Sequence, residues 1–132
     1  MKTMKGTCHC KAVEFEVDLA NGFENVRRCN CSLCSKKGAV MAGVPLEGLR
    51  VTRGEDTLSL YQWNARIAKH YFCSICGIYT HHQRRSVPTE FGFNVACIEG
   101  VDLADLGPIG ASNGAGQSVV EAAASHPGST SP

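Results

Sequence analysis

Seven of the eight cysteines in this chain fall into three close groups with metal-ligand spacing. The groups are Cys8-His9-Cys10, Cys29-Asn30-Cys31-Ser32-Leu33-Cys34 and Cys73-Ser74-Ile75-Cys76. Thiolates one or two residues apart can share a tetrahedral zinc ion. The first and third groups together supply four sulfurs and form a set that we call the quartet. The second group, the triplet, supplies three. The sequence therefore predicts two zinc ions per chain, one in a closed structural site and one with an open position.

Four cations flank the triplet, and they bear on both its chemistry and its ligands. These residues are Arg27, Arg28, Lys36 and Lys37. Cations at this position would lower the thiol pKa values and offset the thiolate charge, and they could attract a ligand that carries carboxylates. The alternative is an ordinary solvated face, which charge runs usually form.

The sequence does not decide which group, if any, supplies a fourth protein ligand to the triplet metal. Cys97 could close the site, but it alternates with Val95 and two phenylalanines, which favours a small core residue. His81 and His82 are further candidates for a ligand or a proton-transfer role. On a strand they would face opposite ways, so only one would easily reach a given site. The alternative for both is a solvated histidine beside Arg84.

The bulk properties favour a single reduced, metal-binding domain. The formal net charge of the 132 residues is +1, which gives no reason to expect nucleic acid or an anionic membrane as a partner. No run approaches the roughly 20 apolar residues that a membrane span requires. Residues 1–6 have no apolar signal segment, so we expect a cytoplasmic protein whose thiols stay reduced.

The sequence predicts that the cysteines are positioned by short β-strands. Alternation at Val13–Val17 and at Leu49–Val51, and apolar or aromatic runs elsewhere, indicate about seven strands separated by turn residues. The other runs are 39–44, 57–63, 68–72, 78–82 and 91–97. This pattern predicts an all-β fold of small antiparallel sheets.

Helix is scarce in this pattern. A single turn is expected over Ser32–Lys37, and a second candidate follows Ser118, which has capping-box spacing to Glu121. From Pro108 onward Gly, Ala, Ser and Pro dominate. We therefore predict a domain over residues 1–107 and a loosely ordered tail over 108–132.

The order of the motifs resembles the glutathione-dependent formaldehyde-activating enzyme family, to which the centromere protein V domain belongs. The resemblance runs from about Thr7 to Leu106. It rests on C-x-C, C-x-C-x-x-C and Phe72-Cys73-x-x-Cys76-Gly77, with Gly38 and the segment 94–102 as further similar features. It implies a compact fold of coiled antiparallel sheets, a structural zinc on Cys8, Cys10, Cys73 and Cys76, and a catalytic zinc on Cys29, Cys31 and Cys34.

The same resemblance implies the activity of S-(hydroxymethyl)glutathione synthase, a carbon–sulfur lyase that joins glutathione to formaldehyde. An open zinc could bind the thiol as thiolate or polarise the aldehyde carbonyl. A carrier that binds a small thiol without accelerating its reaction would use the same residues. A zinc-stabilised interaction module would instead have its second site closed. No sequence feature separates the enzyme from the carrier, and none indicates an oligomeric state.

Overall fold

A three-stranded antiparallel sheet carries the N-terminus. The computed structural model describes residues 2–29, 31–63, 66, 68–85 and 87–112. In the first sheet the order is β1-β2-β5, with β1 at Lys2–Thr7, β2 at Glu14–Leu19 and β5 at Leu49–Arg53. The turn between β1 and β2 carries the first cysteine pair, so this sheet fixes one half of the quartet.

The second sheet has seven strands in the order β10-β3-β4-β9-β8-β7-β6. Its members are β3 (Glu24–Cys29), β4 (Met41–Pro45), β6 (Leu58–Tyr61), β7 (Lys69–Cys73), β8 (Tyr79–Gln83), β9 (Glu90–Asn94) and β10 (Gly110–Ser112). Strand β10 pairs with β3 in parallel, and the other pairs are antiparallel. The prediction of an all-β fold with small antiparallel sheets and little helix is confirmed.

The core lies where the inner face of β2 meets the large sheet. Phe15, Val17 and Leu19 alternate inward and are almost fully buried, beside Phe93 of β9 and Ala42 of β4. The period-2 pattern that predicted β2 is thus the pattern that fills the core. Gly6 lies against the Phe15 ring, where a Cβ would come within 2.4 Å of the ring carbon Cζ.

Among the described residues, helical structure is confined to short segments. The one α-helix in this part of the chain, α1, runs over Ser32–Lys37 as predicted, and it ends at Gly38, whose φ of 65° is left-handed. Four 3-10 turns lie at Leu46–Gly48, Glu55–Thr57, Val95–Cys97 and Leu103–Leu106. In the described part of the chain no helix has the length and apolarity needed to cross a membrane.

Two features differ from the sequence expectations or extend them. The strand expected over 91–97 ends at Asn94, because the Asn94 side chain accepts a hydrogen bond from the Ala96 amide and caps a 3-10 turn. Strands β1, β3 and β10 lack strong apolar alternation and were not expected. The helix candidate after Ser118 lies outside the described residues.

Candidate metal centres

The quartet is assembled by two turns from different sheets. Cys8 and Cys10 lie in the turn after β1, while Cys73 ends β7 and Cys76 lies in the turn before β8. The four sulfur atoms lie within 4.8 Å of one another, with 3.6 Å between the Cys8 and Cys10 sulfurs and 3.7 Å between those of Cys10 and Cys73. Four thiolates bound tetrahedrally to zinc would have sulfurs about 3.8 Å apart. The donor set therefore fits a closed zinc site.

Residues two apart on a strand face the same way, so the Cys8-x-Cys10 spacing predicts a strand, but the pair lies in a turn. The Lys11 amide donates to the Cys8 carbonyl at 3.2 Å, and Lys11 has a φ of 66°. A tight turn, rather than strand alternation, therefore brings the two sulfurs together. The Cys73-x-x-Cys76-Gly77 spacing predicts a turn in which glycine tolerates a left-handed backbone, and Gly77 has a φ of 79°.

Backbone amides point at the quartet sulfurs. The Val13 amide donates to Cys8 Sγ at 3.4 Å, and the Ile75 and Cys76 amides donate to Cys73 Sγ at 3.4 and 3.5 Å. Amide donors at these positions suit sulfur atoms that carry the negative charge of metal-bound thiolates.

The triplet lies within one short segment at the end of β3 and the start of α1. Cys29 is the last residue of β3, Cys31 is the N-cap of α1, and Cys34 lies inside α1. Their sulfur atoms all lie within 4.8 Å of one another. The Cys31 amide donates to Cys29 Sγ at 3.5 Å, and the Cys34 amide donates to Cys31 Sγ at 3.3 Å. The local chain folds so that three sulfurs converge with no fourth thiol in the group.

Crowding of the three thiols is electrostatically costly unless a cation joins them. The pKa of Cys34 is raised far above its usual range, first by hydrogen bonding to Cys29, then to Cys31, and then by burial. Three adjacent thiolates repel one another, and a divalent cation would remove that repulsion. The residues therefore fit a zinc ion with three protein ligands.

The cations near the triplet divide into two kinds. Arg28 and Lys36 are exposed, whereas Arg27 is buried and Lys37 is half-buried. Burial lowers the pKa of both Arg27 and Lys37, while the Cys34 thiolate acts on both in the opposite direction. Within the described part of the chain, neither forms an ion pair with a carboxylate. The solvated-face alternative thus holds for Arg28 and Lys36 and fails for Arg27 and Lys37.

None of the three candidate fourth ligands joins the triplet. Among the described residues, Cys97, His81 and His82 belong to neither group of converging ligand atoms. Cys97 is buried in the main core, as its pattern had favoured, and its thiol donates to the Tyr79 carbonyl at 3.6 Å. The structure thus supplies no fourth protein ligand at the triplet from the described residues.

The alternative of solvated histidines at 81 and 82 is wrong, because both side chains are buried in β8, which lies between β7 and β9. His81 is 3% exposed and stacks on Tyr71 with ring centroids 4.7 Å apart. His82 is 8% exposed and stacks on His70 at 5.2 Å. The two rings have different neighbours, in agreement with the expected opposite orientations.

A β-bulge brings Tyr79 next to His82. In the β7–β8 register Phe72 lies opposite Tyr79 and Tyr71 lies opposite His81, so Thr80 is an extra residue on β8. Residues three apart on a regular strand face opposite ways, and an extra residue reverses that parity. The Tyr79 hydroxyl accordingly lies 2.5 Å from His82 Nδ1. Neither Tyr79 nor His70 was singled out from the sequence, since strand periodicity does not reveal a bulge.

Comparison with known proteins gives one family match over most of the chain. The model of the glutathione-dependent formaldehyde-activating enzyme family matches residues 3–109. The chain belongs to this family. Membership indicates a glutathione-related, formaldehyde-activating function, and the two cysteine groups could hold metal ions in line with the zinc that the resemblance implies.

A solved structure supports the fold. A crystal structure of a Rhodobacter sphaeroides protein is 59% identical and superposes with a TM-score of 0.80. The match covers 83% of this chain and 100% of that chain. The fold described here is therefore similar to one determined by crystallography.

Proposed function

We propose that this protein is a zinc-dependent carbon–sulfur lyase that resembles S-(hydroxymethyl)glutathione synthase and joins glutathione to formaldehyde or a similar small aldehyde at the triplet. The observation that carries the proposal is the convergence of three sulfurs with no fourth ligand from the described residues. In this proposal Cys29, Cys31 and Cys34 are catalytic metal ligands, and the quartet holds a second, structural zinc.

Zinc, when bound, would supply a Lewis acid and a position for a ligand thiol or carbonyl oxygen. The chain's own contribution is charge and orientation. Arg27 and Lys37 lie in the field of the triplet thiolates without a carboxylate partner among the described residues. Glutathione carries two carboxylates, so these cations would hold it with its sulfur toward the triplet.

The test compares adduct formation with and without an intact triplet. Exchange spectroscopy would measure the rate at which glutathione and formaldehyde form S-(hydroxymethyl)glutathione with zinc-loaded protein, while calorimetry measures glutathione binding. We expect a rate above the spontaneous rate for the wild type and for Cys97→Ala, a matched cysteine variant outside both groups. Cys29→Ser should lose the acceleration because it removes one of the three sulfurs.

Each other result has a defined meaning. Glutathione binding without acceleration would reject the enzyme and leave the non-catalytic thiol-binding module. Neither binding nor acceleration would leave a zinc-stabilised interaction module. A cytoplasmic location and the boundary of the domain at residue 107 stay predictions from the sequence.

A further inference from the structure

His70 carries a buried polar atom for which the described residues supply no partner. The side chain is 2% exposed, and its Nδ1 lies 3.3 Å from the Tyr79 hydroxyl. Its Nε2 is buried and has no hydrogen-bond partner among the described residues. Leaving such an atom unsatisfied is costly, and the exceptions in folded proteins tend to have a functional reason.

The hydrogen-bond chain through Tyr79 fixes the form of the His70 ring. Of the two bonds to Tyr79, that with His82 Nδ1 is the shorter, at 2.5 Å against 3.3 Å for His70, and bonds with an O–H donor are shorter than bonds with an N–H donor, so we assign the Tyr79 hydroxyl as the donor to His82. That hydroxyl has a single proton, so it can only accept from His70, whose Nδ1 must then carry hydrogen. In a neutral ring with hydrogen on Nδ1, Nε2 holds a lone pair and acts as an acceptor.

Burial keeps the ring neutral. The pKa of His70 is lowered to about 4, chiefly by burial and next by the charge of Lys37, while the Cys29 thiolate acts in the opposite direction. The orphan atom is therefore a hydrogen-bond acceptor at neutral pH. A group that binds at His70 Nε2 must therefore donate a hydrogen bond, and an anion without hydrogen would not serve.

Lys37 and Tyr79 connect this acceptor to the triplet. Lys37 belongs to α1, the helix that also carries Cys34, and its Nζ lies 3.9 Å from the centroid of the Tyr79 ring. The Tyr79 ring centroid lies 6.1 Å from that of His70. After burial, the charges of the three triplet cysteines also raise the pKa of Tyr79, and the charge of Cys29 raises the pKa of His70. A chain of contacts therefore runs from the triplet helix through Lys37 and Tyr79 to His70.

We propose that His70 positions the substrate by accepting, at Nε2, a hydrogen bond from the hydroxyl group of the hydroxymethyl adduct. This inference rests on the proposed function. When the thiol adds to formaldehyde, a sulfur–carbon bond forms and the carbonyl π bond breaks. The proton released by the thiol ends on the former carbonyl oxygen, so the adduct contains the O–H donor that glutathione and free formaldehyde lack.

Two amide substitutions separate this role from a structural one. The amide of asparagine reaches the place of Nδ1, and that of glutamine reaches the place of Nε2. His70→Asn should keep the bond to Tyr79 and lose the acceptor, whereas His70→Gln should keep an acceptor and lose the bond to Tyr79. Calorimetry on the zinc-loaded proteins would measure glutathione affinity with and without formaldehyde, and thermal melting would follow the fold.

We expect His70→Asn to bind the adduct about tenfold more weakly than the wild type, the size of one buried hydrogen bond. Its affinity for glutathione alone should be unchanged, and His70→Gln should retain most of the adduct affinity. Equal adduct binding by His70→Asn and the wild type, or equal losses in both variants, would overturn the inference. Failure of the wild type to bind glutathione would instead overturn the proposed function, and the inference with it.

A measurement on the unmutated protein covers the case in which a variant does not fold. In zinc-loaded protein labelled with nitrogen-15, the unprotonated Nε2 resonance of His70 should move upfield when the adduct forms, and should stay in place with glutathione alone. An Nε2 resonance that the adduct does not move would contradict the role of His70.

Discussion

Lys37 is the cation whose environment best matches a ligand role. It is half-buried, burial lowers its pKa, and its ammonium group lies over the Tyr79 ring. The neighbouring Lys36 is exposed on the same helix and serves as a matched control.

Replacing Lys37 by methionine should weaken glutathione binding roughly tenfold, because a charge-assisted hydrogen bond to a carboxylate is removed. Lys36→Met should change the affinity little, since an exposed, screened charge contributes little. Calorimetry at two salt concentrations would measure both variants. Equal effects of the two substitutions would assign the carboxylates of glutathione to other cations.

A second prediction at this scale concerns the packing of His82. A Cβ on Gly92 would lie 2.6 Å from His82 Cε1, so Gly92→Ala should displace the ring and weaken its bond to Tyr79. Overpacking of this kind costs about 1–3 kcal/mol. Gly43 lies opposite Gly92 in the β4–β9 register, and the nearest atom to its added Cβ would be the end of the flexible Glu90 side chain at 3.4 Å, an ordinary contact distance. Urea unfolding should therefore show a larger loss for Gly92→Ala than for Gly43→Ala.

At the scale of elements, the quartet links the two sheets. Cys10 lies in the turn after a strand of the small sheet and Cys73 ends a strand of the large one, 63 positions later in the chain. The triplet, by contrast, lies at the end of one strand and the start of the following helix. A metal in the quartet would tie distant elements together, whereas one in the triplet would order a single segment.

We therefore expect Cys73→Ser to destabilise the protein far more than Cys31→Ser. Loss of a structural zinc ligand should cost at least about 3 kcal/mol, or roughly 10 °C in melting temperature. The triplet variant should lose less than half of that. Thermal melts of both zinc-loaded variants measure the difference. Comparable losses would show that the triplet also holds the fold together.

At the scale of the whole molecule, the triplet should release its metal more easily than the quartet, because it supplies fewer protein ligands. Four sulfurs converge at the quartet and three at the triplet. A mild chelator should remove about one metal equivalent per chain while circular dichroism and the melting transition persist. Loss of both equivalents in one step, together with unfolding, would contradict the distinction between the sites.

Acid should destabilise the molecule through its buried histidines. Burial lowers the pKa of His70 and His81 to about 4, and lowers that of His82 well below 6.5. The unfolded chain, with histidines near pKa 6.5, then binds more protons than the folded one. The stability that the neutral histidines contribute is therefore fully present above about pH 6.5 and is lost as the pH falls toward 4.

Between pH 6.5 and 4, the free energy of unfolding should change by up to about 1.4 kcal/mol per pH unit for each of these histidines. Urea unfolding from pH 7 to 4.5, with metal content measured at each pH, would test this. His81→Gln should reduce the slope relative to the wild type, because it removes one of the three protonation sites. An unchanged slope would mean that His81 takes up no additional proton on unfolding.

The cysteine groups and the β-strands were predictable because both depend on local spacing. One- and two-residue gaps bring sulfurs close in many turn geometries, so the quartet and the triplet follow from the sequence even though Cys8 and Cys10 turn out to lie in a turn. Alternating apolar residues likewise indicated β2 and the inner strands of the large sheet. The polar strand β3, which lies between β10 and β4, has no such pattern, and its pairing depends on those two neighbours.

The surroundings of the triplet were decided by the tertiary structure alone. Burial of Arg27 and the position of Lys37 over Tyr79 depend on contacts between different elements, whereas the contact between Tyr79 and His82 lies within β8. The contact between Tyr79 and His82 depends on the extra residue in β8, because that residue moves the side chains on one side of it to the opposite face of the strand. Sequence spacing determines which atoms can share a metal ion, whereas long-range packing determines which buried groups face it.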